Sequence, residues 1–152
     1  MKRSALLSIA ALALGAVSLA AQASKAPAAQ RPAAAAAGTV IHVRMMQQGT
    51  VYKFDPANFT VHPGDIVEFL NVSGFPHNVG FEPVKIPAGA ADVLNRAMAQ
   101  RMGNLQGPMM TQPNQTYRVS FAGAPVGTYD YFCLPHKAMG MKGVITVAAA
   151  RR

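Results

Sequence analysis

From position 39 onward, apolar and polar residues alternate with a period of two over most of the chain. That period marks strands with one buried face. Residues 39–46 read as a strand with Ile41, Val43 and Met45 on one side and His42 and Arg44 on the other. "HPGD" at 62–65 is a turn signal, and "DIVEFLNV" from its last residue is a strand with Val67 and Phe69 on one face. "HNVGF" at 77–81 is a short strand. "TYRVSF" at 116–121 turns Tyr117, Val119 and Phe121 inward, and "GTYDYFC" at 127–133 puts Tyr129, Tyr131 and Cys133 on one face. "GVITV" at 143–147 closes the pattern. Short strands between Pro/Gly turns predict an all-β sandwich of about seven or eight strands. One stretch departs from the alternation. "AADVLNRAMAQRMG" at 90–103 spaces Val93, Leu94, Ala97, Met98 and Arg101 as a helix would, with Gly103 as its stop and Arg101 suited to its last turn. It predicts one short surface helix inside a long inter-strand connection.

Ahead of position 39 the pattern changes. Lys2 and Arg3 precede an apolar run, and Ala21-Gln22-Ala23 has the small-x-small form of a cleavage site. Residues 1–23 therefore read as a secretory signal peptide, and the protein as periplasmic or otherwise exported. The apolar run is shorter than the roughly 20 residues of a membrane span. Membrane contact is expected only if this segment is kept as an anchor. Residues 24–38 are mostly Ala and Pro, cannot bury a core and read as a linker. The folded domain is expected at 39–148, with a basic tail at 149–152.

Charge changes the picture little. The formal +8 includes Lys2 and Arg3 in the leader and Lys25, Arg31, Arg151 and Arg152 in the tails. The domain itself keeps eight cations against six anions, a net of +2. No basic block carries interleaved aromatics, which argues against nucleic-acid binding. The chain has one cysteine, so no disulfide forms within it. In an exported protein such a residue is an intermolecular bridge, a reactive thiol or a protected ligand.

Two stretches carry the candidate chemistry: "FPHNVGF" at 75–81 and "CLPHKAMGMKG" at 133–143. The second spaces Cys133, His136 and Met141 as Cys-x2-His-x4-Met. Thiolate and thioether are soft ligands, imidazole suits copper, and two His, one Cys and a long axial Met mark an electron-transfer copper site. The loop supplies one His, so the second must come from elsewhere. His77, between Pro76 and Asn78 at a strand start, is the best candidate, and a sandwich clusters loops from distant strands at one end. On spacing alone Met139 competes with Met141. Each of these residues is commonplace singly; their conjunction is not. A Met fourth ligand does not suit zinc. His42, on an exposed strand face, and His62, before a Pro-Gly turn, are expected to be non-ligands. A copper enzyme would need a second metal site, and no second His cluster is present, so no enzyme activity is expected. The rival reading is copper storage or delivery. Nine methionines support it, including Met45-Met46 and Met109-Met110, but a closed Cys-His-His-Met set argues for a carrier.

Together, "FPHNVGF … KIPAGA … TYRVSF … GTYDYFCLPHKAMGMKGVITV" resembles the plastocyanin and pseudoazurin branch of the cupredoxins over residues 39–148. The resemblance implies a Greek-key β-sandwich holding one type 1 copper, with His77, Cys133, His136 and Met141 as ligands. It also implies that Asn78 ties the two ligand loops together. Two features depart from the family. Phe132 stands before the cysteine where plastocyanins usually carry Tyr. The segment from Glu82 to Met102 is mixed to basic where plant plastocyanins are acidic, so plant-like docking to a basic partner is not implied. The expected function is an exported, monomeric, one-electron carrier. Its redox partners are expected to dock transiently near His136, framed by Phe75, Pro76, Pro135 and Met139, with Lys137 and Lys142 steering an acidic partner.

Overall fold

The computed structural model describes residues 38–151. The expected leader at 1–23 and the linker as far as residue 37 lie outside them. Eight strands form two four-stranded sheets. In the first sheet, β1 (Val40–Gln48) lies between β2 (Val51–Asp55) and β4 (Ile66–Asn71), and β6 (Thr116–Ser120) pairs with the far side of β4. The second sheet runs β3 (Asn58–Val61), β8 (Lys142–Val147), β7 (Gly127–Phe132) and β5 (Gly80–Phe81). The pairs β1–β4 and β3–β8 are parallel and the rest antiparallel.

The period-two pattern sets which side faces in. Val43 lies opposite Phe69, and Phe69 opposite Tyr117, all three buried on one face of the first sheet. Across the core the second sheet offers Val61, Phe81, Tyr129, Tyr131, Ile145 and Val147. Tyr131 is the hub. Its ring lies 4.6 Å from that of Phe54 and 5.9 Å from that of Phe69, and its hydroxyl donates to the Ala57 carbonyl at 2.9 Å. Its ladder partner is Gly143, where a Cβ would sit 2.1 Å from the Ala57 carbonyl oxygen and 2.6 Å from the Tyr131 ring. Only glycine fits between them. Fully burying side chains of this size stabilises by roughly 1.5–3 kcal/mol each, so a rigid wall stands two residues before Cys133.

The structure adds two strands and corrects two expectations. Two strands, β2 and β3, occupy the stretch between residues 46 and 62 that the alternation left unassigned; both are short, and each has a single buried residue, Phe54 and Val61. The stretch 77–81 is strand only at Gly80–Phe81, while His77 forms an isolated bridge with Met110. The helix, α1, covers Ala90–Ala97 and stops well before Gly103. Met98 turns extended, and the chain beyond is held by tertiary bonds that helical spacing cannot reveal. Tyr117 donates its hydroxyl to the Ala99 carbonyl at 3.0 Å. The Asn95 side-chain oxygen accepts from Arg101 at 2.8 Å and from the Leu105 main chain at 2.9 Å. Arg101 thus serves this loop and not the last helical turn.

Candidate metal centre

One end of the sandwich gathers the loop after β4 and the loop between β7 and β8. The first is organised by Asn71, the buried last residue of β4. Its side-chain nitrogen donates to the carbonyls of Phe75 (2.9 Å) and Met110 (3.1 Å), and its oxygen accepts from the Gly74 main chain at 3.0 Å. This closes the loop and delivers His77 inward. The second loop bonds to itself. The main-chain N–H groups of His136, Met139 and Met141 reach the carbonyls of Cys133, His136 and His136, and the Cys133 N–H reaches that of Met141 at 3.1 Å. Gly140, at φ 87°, takes the left-handed turn that a side chain would resist.

Fold and loops bring His77, Cys133 and His136 together, with donor atoms within 4.8 Å of one another and all three residues buried. The Cys133 Sγ lies 3.6 Å from His77 Nδ1 and 3.4 Å from His136 Nδ1. His77 Nε2 lies 3.1 Å from the Ser73 hydroxyl. That contact occupies Nε2 and leaves Nδ1 free to face the sulfur. Met141 is 0% exposed, whereas Met139 is 53% exposed. His42 pairs with Glu68 at 3.0 Å, and His62 sits beside Asp65; neither joins the cluster.

Burial, and then the charge of neighbouring His136, pull His77 down to about 4. Burial lowers His136 as well. Both imidazoles are therefore neutral near pH 7, with lone pairs available. Burial also pushes the Cys133 thiol up, against the main-chain N–H groups of Asn78 and His136, which favour the thiolate. A buried thiol with two preplaced N–H donors suits a bound cation that replaces its proton. Two nitrogens and one soft sulfur fit copper. Asn78 spans the two loops: its side-chain oxygen accepts from the Leu134 main chain at 2.7 Å.

Sequence reasoning missed three residues of the site: Tyr52, Asn71 and Ser73. Asn71 and Ser73 stand in the polar run "NVSG" just ahead of His77, a turn-forming composition that could have flagged a loop brace. Tyr52 carried no signal. Its ring stacks on His136 with centroids 3.8 Å apart, and His136 is only 7% exposed.

The family model for copper binding proteins of the plastocyanin/azurin family matches residues 40–148. A plastocyanin from Scenedesmus fuscus is 38% identical over 95 residues, covering 62% of this chain and 85% of its own. The oxidized form of plastocyanin from Dryopteris crassirhizoma shares the fold with a TM-score of 0.58 at 28% identity, over 71% of this chain and 100% of its own. Pseudoazurin from Methylobacterium extorquens AM1 does so at 0.55 and 27% identity, over 72% and 75%. The chain belongs to the plastocyanin/azurin family of copper binding proteins. Its cofactor is copper and its role is one-electron transfer with redox partners; it is a carrier and not an enzyme.

Proposed function

We propose that this protein is an exported one-electron carrier whose single copper is held by His77, Cys133, His136 and Met141. The carrying observation is the convergence of two imidazole Nδ1 atoms on one buried thiol, at 3.6 and 3.4 Å. Complete burial of Met141, in a loop whose main chain closes on Cys133, supports it over exposed Met139 as the axial ligand. Copper supplies the one-electron couple. The chain supplies a donor set fixed from two sheets, so that little moves when the charge changes. Burial of Cys133 and Met141 speaks against copper delivery, which needs accessible, exchangeable sulfur.

Export rests on the leader-like composition of residues 1–23. Docking is assigned to the apolar rim around His136, where Phe75, Leu134 and Met139 are exposed together with Pro76 and Pro135. Small apolar patches suit brief redox encounters. Beside this rim, a cavity of about 290 Å³ is lined by Glu82, Lys85, Asp130, Phe132, Lys137 and Lys142. Lys137 pairs with Glu82 at 2.6 Å and Lys85 with Asp130 at 3.1 Å, while Lys142 forms no ion pair among the described residues. The carrier works as a monomer, and its partner is acidic at the contact.

The test is a copper titration of the copper-free protein. It should saturate at one copper per chain and develop strong absorption near ~600 nm, as a thiolate-bound type 1 centre does. Saturation without that band, or at two coppers per chain, would overturn the assignment.

A further inference from the structure

The two histidines are held in different ways. His77 has its Nε2 against Ser73 at 3.1 Å. His136 has no such anchor: among the described residues its Nε2 makes no hydrogen bond, and only its Nδ1 has a polar contact, with Cys133. A ligating histidine ordinarily has its second nitrogen fixed by an acceptor, which sets the plane of the ring. Something else must set the plane of His136.

Tyr52 lies flat against it, with ring centroids 3.8 Å apart and planes within 10°. Tyr52 also meets His77 edge-on at 6.4 Å and Phe75 at 6.5 Å. It stands on β2, the edge strand of the first sheet, opposite Gln47 in the ladder. The other aromatic hydroxyls of the domain tie to main-chain carbonyls: Tyr117 to Ala99, Tyr129 to Pro125 and Tyr131 to Ala57. Among the described residues the Tyr52 hydroxyl makes no hydrogen bond. What Tyr52 contributes to the site is its ring.

We infer that Tyr52 is the positioning residue of His136. Its ring does by stacking what Ser73 does for His77 by hydrogen bonding, holding the imidazole so that Nδ1 stays on the Cys133 sulfur. The same ring covers one face of His136, so a redox partner seated on the rim meets Tyr52 beside Phe75 and has little of the imidazole itself to touch. Two consequences separate this from mere filling of space. The ring must matter and the hydroxyl must not. The effect must also appear in the copper-free protein, because the stack is made by two side chains of the chain and needs no metal.

The first measurement is the NMR spectrum of copper-free protein. The His136 ring C–H resonances should lie upfield, displaced by the Tyr52 ring current, in the wild type and in Tyr52→Phe. In Tyr52→Leu they should return toward ordinary imidazole positions. The second is copper release to a chelator from loaded protein. It should be about 10-fold faster in Tyr52→Leu, the lower end of what loss of a ligand's orienting partner costs, and within about 2-fold of wild type in Tyr52→Phe. The inference is overturned by an unshifted His136 ring in the wild type, a measurement that depends on no variant folding. It is equally overturned by wild-type release from Tyr52→Leu, or by Tyr52→Phe behaving like Tyr52→Leu. It rests on His136 being a ligand. If that reading failed, His136→Ala would keep the metal and its colour, whereas failure of the inference alone leaves a protein that still needs His136 for its copper.

Discussion

Both ends of the sandwich bury polar side chains, and they treat them in opposite ways. At the end remote from the cluster, between β3 and β4, the Asp65 carboxylate is 1% exposed. It accepts main-chain N–H groups from Thr39 and His62, each at 2.8 Å, and two guanidinium contacts from Arg151 at 2.8 and 3.1 Å. Its hydrogen-bonding capacity is filled by the protein. At the other end His77, Cys133 and His136 are also buried, but both Nδ1 atoms converge on the thiol, whose other partners are only the main-chain N–H groups of Asn78 and His136. A buried polar group costs free energy unless it is paired. A filled cluster stabilises the fold; a convergent, unfilled one is complete only with a ligand. The same contrast separates the charges. Burial pushes Asp65 up, but the Arg151 hydrogen bond, the two N–H donors and the Arg151 charge outweigh it and hold the group at about 2. Burial without such partners leaves His77 neutral.

Removing one group from each end should break different properties. Cys133→Ser should abolish the ~600 nm band, because that band requires a thiolate on copper, while the serine variant still unfolds cooperatively. A blue serine variant would show that the sulfur is no ligand. Asp65→Ala should do the reverse. It strands two N–H donors and Arg151, so stability should fall by about 3 kcal/mol on denaturant unfolding, with the copper spectrum unchanged. A spectral change in Asp65→Ala would mean that the two ends are not independent.

Acid sharpens the comparison. The folded-state pKa of Asp65 lies below its ordinary 3.8, so its contribution is complete above about 3.8 and is lost as pH falls through about 2. Between those limits the unfolded chain binds more protons, and stability must rise with pH. Unfolding midpoints of copper-free wild type and Asp65→Asn, measured from pH 5 to 2, should therefore converge as the pH drops. Parallel curves would remove Asp65 from the acid response.

Smaller effects separate neighbours within the site end. Met141→Gln should keep copper but lower the reduction potential, because a harder oxygen ligand favours Cu(II). Met139→Gln, at an exposed position, should change it much less, and the opposite ranking in voltammetry would move the axial role to Met139. Smallest is the effect of charge on docking. Lys137→Glu should slow electron transfer to an acidic partner less than Lys142→Glu, since Glu82 already neutralises Lys137. Stopped-flow rates should show a few-fold difference at low salt. That difference should fade as the Debye length shrinks toward 8 Å near physiological ionic strength; equal rates for both variants would mean that the apolar rim alone defines the contact.

How much of this was legible beforehand follows from the reach of each interaction along the chain. Strand alternation is a local property, and it located six of the eight strands and the inward faces of four. β2 and β3 escaped because each is short and buries a single residue, Phe54 and Val61, so neither shows an alternation. The helix was read too long because helical spacing persists through Met98 and Arg101, whereas its end is set by Asn95 and Tyr117 acting across the fold. Cys133, His136 and Met141 share one short loop, so their spacing alone expressed a donor set. His77 was recognisable as a candidate, but its meeting with Cys133 spans 56 positions and depends on two sheets ending at the same pole. Arg151, which the charge pattern placed in a free tail, closes on Asp65 across 86 positions. Tyr52 on His136 belongs wholly to tertiary structure. The alternating faces and the donor types are readable along the chain, because they follow from side-chain chemistry and strand geometry. Which face of which ring covers the site was decided by the packing of an edge strand against a loop, a contact that leaves no period or spacing in the chain.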